Sequence, residues 1–484
     1  MAKRPRVIVL ELNEADLHFL DRYRGSLPFF SRMRREGALV TTRIAGFDPG
    51  SGRDWRAITP WIIWPSLYTG LSPEDHGIVA FGQDTSPIRG RCVWDVLDGH
   101  GLRVGVMGSL LSGPPRGRPA FYLPESLADD DACIPERARP LQRFLVESSR
   151  GYSEPVGPRA AARRALDLAR ATRVGVSPRT VARVLGQIPR ELALGAHERA
   201  ERAVLQAEVV RDAFVELVRA EAPDYAAMHS NHVAYMQHRY WRAAEPGRFD
   251  PGLSETDARY FRSARELALW ETRLSGRIEA AFVHADRTLG TLAELLDERG
   301  VLVVTTALGQ RPFDPARGEI FNPVVRLQRE GELFAAAGVP EASVKHQMNP
   351  DLTLDFRDAR AADDGARRIQ ALHVGGDPLF FVQRRGRQVF LELELPRGDL
   401  AAARVEDGRG TSLPLERFVS LSPVPDQSTA QHRQEGLFLA WSPGRRVAAR
   451  HDAVDVTDVA PTLLSLFGIA PAPWMNPRAS IAVA

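Results

Sequence analysis

The sequence predicts an α/β protein built on a doubly wound, mostly parallel sheet flanked by helices. Continuous apolar runs rich in β-branched residues, such as Val7–Leu10 and Val301–Val304, read as strands buried on both faces. Helical periods alternate with these runs, the strand–loop–helix order of such sheets. Polar and ionisable residues collect at the C-terminal ends of the runs, where open α/β sheets place their sites.

Size and charge bound the rest. The 484 residues suffice for one large domain with insertions or for two domains. At 44% apolar and 26% charged residues the composition is that of a globular chain, and 63 basic against 61 acidic residues give no reason to expect a nucleic-acid partner. Two cysteines, Cys92 and Cys133, argue against a disulfide framework. The apolar run after the basic start, Val7–Leu10, is too short for a leader, and no run approaches the ~20 residues of a membrane span. These features point to a cytoplasmic protein with no membrane partner.

In chain order, residues 6–12 form the first strand, and Asn13-Glu14-Ala15-Asp16 lie at its C-terminal end. Leu27–Gly37 is a short helix closed by glycine, and 39–44 a strand. Ile58–Val79 reads as a loop leading into a buried helix that ends at Gly70. Thr59 stands at the loop end, beside the free N–H groups of a helix N-terminus, where an anion or a nucleophile is well served; Ser66 is a second hydroxyl, whose plainer role is packing a helix turn. A helix over 93–98 and a strand over 102–108 follow. Helical periods at 136–147, 158–172, 178–193 and 196–220 indicate a helical insertion, a cap or a solvated charged face. Asp224–His229 is a strand, 257–298 one long amphipathic helix closed by Gly300, and 301–306 another strand. Strand signals at 352–356, 379–383 and 388–395 indicate an α+β insertion. The core returns at 429–444 and ends in a helix over 456–468. The divisions are core 1–114, helical insertion 115–220, core 221–318, α+β insertion 319–424 and core 425–484.

His229, His232 and His238 fall within ten residues after a strand, and His432 precedes another; imidazoles so placed suit zinc or a similar ion. The pattern Ile58-Thr-Pro, then Ser66-x-x-Thr69-Gly70-x-x-Pro73-x-x-His76-Gly77-Ile78, resembles the nucleophile segment of the alkaline phosphatase superfamily, in its type I phosphodiesterase / nucleotide pyrophosphatase branch. The resemblance covers roughly residues 5–110, 220–315 and 425–480. It implies a two-metal phosphoester site. His238-Arg-Tyr-Trp241 and Gln431-His-Arg-Gln-Glu-Gly436 match the segments that give one metal its histidines; the accompanying Asp is Ala234 here, with Asn231 or His232 on the same loop to substitute. The second metal's ligands are replaced by Asn13, Ala307 and Leu308, so the resemblance implies at most one divalent metal, zinc by preference. Counting back from Thr69-Gly70 puts the family's nucleophile at Pro60, one position from Thr59.

The expected site is therefore Thr59 or Ser66 as nucleophile, Asn13, Asn231 and Arg433 on a small phosphorylated substrate, and His232, His238 and His432 on a metal. Three readings follow: an enzyme acting on a phosphoester, phosphodiester or nucleotide-type substrate; the same fold turned to group transfer in a biosynthetic pathway; or a pseudoenzyme that binds a phosphorylated ligand.

Overall fold

A computed structural model describes residues 5–44, 58–80, 82–128, 132–150, 157–249, 252–254, 257–314, 325–346, 351–395, 402–421, 428–476 and 481–483. The N-terminal half contributes strands β1 (Val7–Leu12), β2 (Ala38–Arg43), β3 (Val104–Met107), β4 (Phe121–Leu123) and β5 (Tyr225–Ser230). Strands β6 (Val301–Thr305) and β7 (Gly309–Pro312) follow. Next come β8 (Ala342–His346), β9 (Leu352–Phe356), β10 (Phe380–Arg385) and β11 (Gln388–Leu393), then β12 (Ala430–Arg433), β13 (Gly436–Trp441) and β14 (Ala453–Asp455). Eight of these form the main sheet, in the order β14-β2-β13-β6-β1-β5-β3-β4. Every pairing in it is parallel except the two made by β13, which runs antiparallel to β2 and to β6. This is the mostly parallel, helix-flanked α/β sheet that the apolar runs predict.

All six side chains of β1 are buried, as a central strand covered on both faces requires. Val7 and Val9 face one apolar layer, with Trp64, Trp94 and Leu463; Ile8, Leu10 and Leu12 face the other, with Phe19, Phe30 and Phe282. Each fully buried aliphatic contributes roughly 1.5–3 kcal/mol, so β1 is anchored before any polar contact is counted. Helices α1 (Leu17–Arg22), α2 (Pro28–Glu36), α3 (Pro60–Thr69) and α4 (Val93–Gly99) belong to the first core segment.

The helical insertion holds α5 (Arg139–Arg150), α6 (Pro158–Arg170), α7 (Pro178–Leu194) and α8 (Glu201–Glu221). Its apolar side, including Leu141, Leu168 and Phe214, is continuous with the Ile8–Leu10 layer of the sheet. After β5 comes α9 (His232–Ala244). The single long helix expected over 257–298 is two helices, α10 (Ala264–Leu274) and α11 (Arg277–Ala293). The break falls at Ser275-Gly276, where Gly276 takes φ −88°, ψ 0° and ends the helical ladder. Strands β8 to β11 form their own four-stranded sheet, packed with α12 (Ala359–Gln370) around Phe356, Ile369 and Leu391. Helix α13 (Val459–Ser465) returns to the Val7–Val9 face. No helix among the described residues is long and apolar enough to cross a membrane.

Candidate active site

The chain turns sharply after β1. Glu14 takes φ 54°, the left-handed region, at a cost of about 1–3 kcal/mol for a residue with a side chain. The turn is held by a network: the Glu14 N–H donates to the Thr306 carbonyl at 3.2 Å, and Gln237 Nε2 donates to the Glu14 carbonyl at 2.7 Å. Gln237 Oε1 accepts from the Asp16 N–H. The effect is to aim the buried Glu14 carboxylate across the C-terminal end of the sheet.

Two histidines meet it there. His238, on α9, gives its Nδ1–H to the Ala430 carbonyl at 2.9 Å, which leaves the Nε2 lone pair facing Glu14 Oε2 at 2.9 Å. His432, on β12, presents its own Nε2 to the same oxygen at 3.3 Å, with a hydrogen bond to the Ile58 backbone. The two rings stand edge to face, 5.1 Å apart. Ligand atoms of Glu14, His238 and His432 lie within 4.8 Å of one another. Imidazole and carboxylate lone pairs brought this close repel unless a proton or a metal cation lies between them. Two imidazoles and one carboxylate are a zinc donor set, and a backbone carbonyl behind His238 fixes the tautomer a ligand needs. The residues therefore fit the single divalent metal that the resemblance implies.

The electrostatics agree. Burial would raise the Glu14 pKa, but the charges of His432 and His238 and their hydrogen bonds hold it well below the usual carboxylate range. Burial works against a charged His432, yet Glu14 outweighs it and raises the His432 pKa. Gln310 Nε2 adds a 2.6 Å bond to Glu14 Oε2 and a 3.1 Å bond to the Ala234 carbonyl.

Thr59 lies at the N-cap of α3, with Pro60 as the first helical residue. Its side chain makes no capping bond, and its Oγ1 is buried without a hydrogen-bond partner among the described residues. An orphaned hydroxyl beside open helix N–H groups is poised for an incoming group. It directly follows Ile58, whose backbone His432 contacts. Ser66 is placed differently. It sits two turns inside α3, 1% exposed, with its Oγ 3.0 Å from His76 Nε2. His76 Nδ1 accepts the Ile78 N–H, so Nε2 carries the hydrogen and donates to Ser66. Burial lowers the His76 pKa to about 4, so this ring is neutral and of the wrong tautomer to take a proton from Ser66. The expectation of Ser66 as a nucleophile is corrected: its hydroxyl is a packing contact of the helix.

The half of the site where the resemblance places a second metal is filled. Ala307 and Leu308 are fully buried among the apolar side chains around Trp64. Asn13 Nδ2 donates to Glu14 Oε1 at 2.8 Å and to Asn231 Oδ1 at 2.7 Å, while its Oδ1 accepts Trp64 Nε1 at 2.8 Å. Asn13 and Asn231 thus spend these bonds on each other and on the turn, not on an open space for substrate. Arg433 pairs with buried Asp16, Nε to Oδ2 at 3.0 Å, and is one-third exposed. Burial raises the Asp16 pKa, with Arg433 opposing. Gly309 is required here, since a Cβ would lie 2.6 Å from Asp16 Oδ2 and 2.6 Å from the Glu435 carbonyl.

His232 is not brought to the metal group. Its Nδ1 meets Ser230 Oγ at 2.8 Å and its Nε2 the Ala281 carbonyl at 3.1 Å, so both ring nitrogens are engaged on the far side of α9, edge-on to His284. Its assignment as a ligand is corrected for that reason. The residue that sequence reasoning missed is Glu14. Its signal is an acid next to the Asn that replaces the family's Asp, at the same strand end.

Residues 7–370 match the type I phosphodiesterase / nucleotide pyrophosphatase family. A comparison with curated protein sequences finds no match. Among solved structures, the chain is similar to murine ectonucleotide pyrophosphatase / phosphodiesterase 5, inactive and in complex with AMP. Identity is 12%, coverage 98% of this chain and 97% of that one, and the TM-score 0.41. It is also similar to phosphonoacetate hydrolase from Sinorhizobium meliloti 1021 in complex with phosphonoformate, at 14% identity, 94% coverage of each chain and a TM-score of 0.39.

Proposed function

We propose that this chain, which belongs to the type I phosphodiesterase / nucleotide pyrophosphatase family, is a one-metal enzyme acting on a small phosphoester, phosphodiester or nucleotide-type substrate. The observation that carries this reading is the meeting of Glu14, His238 and His432, from three distant parts of the chain, beside the N-terminus of α3. Glu14 takes the place of the carboxylate that Ala234 lacks. A bound divalent cation would supply charge neutralisation for the phosphoryl oxygens there. Thr59 Oγ1 is the nucleophile candidate, and the α3 N–H groups beside it bind a phosphoryl oxygen. Arg433, held by Asp16 yet partly exposed, sits at the rim for a second anionic group. The two free cysteines, both buried, suit a reducing compartment.

The test has two parts. Purified protein is assayed for zinc content, and the zinc-loaded chain is screened against nucleotides and aryl phosphodiesters. One equivalent of zinc and turnover that Thr59→Ala lowers by at least ~10²-fold, the scale of losing a catalytic group, are expected. Two retained equivalents would overturn the one-metal reading. Turnover undiminished in both Thr59→Ala and His432→Ala would place the chemistry elsewhere. A second reading, a pseudoenzyme binding a phosphorylated ligand, is favoured by the apolar filling at Ala307 and Leu308; it predicts AMP binding by calorimetry with no turnover.

A further inference from the structure

We propose that the outer face of α7, together with α6, docks this protein on an anionic membrane surface. Helix α7 is amphipathic in an unusual sense. Its two fully buried side chains are polar: Thr180 donates to Asp212 at 2.6 Å, and Gln187 donates to the Glu198 carbonyl at 2.7 Å. Its outward side chains are apolar. Leu185, Ile188 and Leu192 are 48%, 57% and 83% exposed, and at 100° per residue they fall within one 60° stripe. Leu166 on neighbouring α6 adds a further half-exposed leucine.

Charge lies beside this stripe. Residues 157–195 hold eight arginines against Asp167 and Glu191, a net +6 in a chain whose total is +2. Some of these arginines are used internally, as in Arg190–Glu198 and Arg163–Glu147. Arg159, Arg173 and Arg179 are exposed and have no acidic partner among the described residues. Apolar side chains in a single stripe with arginines along its flank are the layout of a helix lying in a headgroup plane, leucines towards the acyl boundary and guanidinium groups on phosphates. An acidic protein partner would use the same charge, but the basic groups flank a helical stripe and do not ring a socket. This is surface contact and involves no membrane-spanning segment.

The experiment is co-sedimentation of the full chain with vesicles of phosphatidylcholine alone and of phosphatidylcholine mixed with phosphatidylserine. Binding to the mixed vesicles, at least ~10-fold stronger than to the neutral ones and weakened by salt, is expected. Arg159→Ala/Arg173→Ala/Arg179→Ala should weaken it roughly 10²-fold, at about fivefold per arginine. Leu185→Ser/Ile188→Ser/Leu192→Ser should weaken binding to the same vesicles at least ~10-fold. All six positions are exposed; should the leucine variant misfold by circular dichroism, the arginine variant carries the test alone. Equal binding to both vesicle types, or none at low salt, would overturn the proposal. So would a dimer by light scattering, abolished by the leucine variant, with no vesicle binding, since the face would then be a protein interface.

Discussion

Replacing Glu14 by Gln is the most discriminating single change at this site. The amide keeps the size and can still accept from Gln310, but it removes the charge that faces His238 at 2.9 Å and His432 at 3.3 Å. If Glu14 is a metal ligand, zinc affinity should fall by ~10²-fold or more, because loss of an outer partner alone costs ~10–100-fold. In free energy that is about 2.7 kcal/mol. Competition against a chromophoric zinc chelator measures it directly. A second readout separates ligation from general damage. In the metal-free protein Glu14 is the cause of the raised His432 pKa, so in Glu14→Gln an NMR titration should show the His432 ring losing its proton at lower pH than in the parent. Unchanged zinc affinity would refute the three-ligand site. A His432 titration that does not move would refute the pairing on which it is built.

Three further outcomes are expected. His232 is buried neutral, its pKa lowered by burial to about 4; an unfolded histidine takes its proton near ~6.5, so this group's contribution is full above that pH and lost as pH falls from ~6.5 towards 4, by up to about 3 kcal/mol at 1.36 kcal/mol per pH unit. Urea unfolding at pH 7 and pH 5 checks this, and His232→Gln should flatten the difference. Gly309→Ala should destabilise by about 1–3 kcal/mol through overpacking against Asp16 and the Glu435 carbonyl, read as a shift in the denaturation midpoint. Ser66→Ala should cost about 1 kcal/mol for its bond to His76 and leave zinc affinity unchanged.

The sheet was legible because its strands are buried on both faces and declare themselves as unbroken apolar runs. The histidines of α9 were legible only in part. His232 and His238 are six residues apart, which on a helix turns them about 120° from each other; nearness in sequence could not say that one faces the sheet's end and the other α11. Glu14 was hidden by a different cause. Correspondence with the family assigns the strand-end role to position 13, and only the left-handed turn at 14 swings the next carboxylate round to the histidines. The break at Ser275-Gly276 was masked by an apolar period that runs through it. Ser66 and Thr59 were inseparable until the helix start was fixed at Pro60.

The placement of the three donors along the chain bears on how the protein is made. Glu14 and His238 are 224 residues apart, and His432 lies on β12, which joins the structure only after both insertions have been synthesised. A ribosome-bound chain holding everything up to β11 would have a core strand, a left-handed turn and one imidazole, but no cage. Metal loading is then a late event, and a cation that bridges these points closes two very long loops at once. Because closure entropy grows only slowly with loop length, such a cross-link ties the first strand to the last part of the core for little more than a short clip would cost.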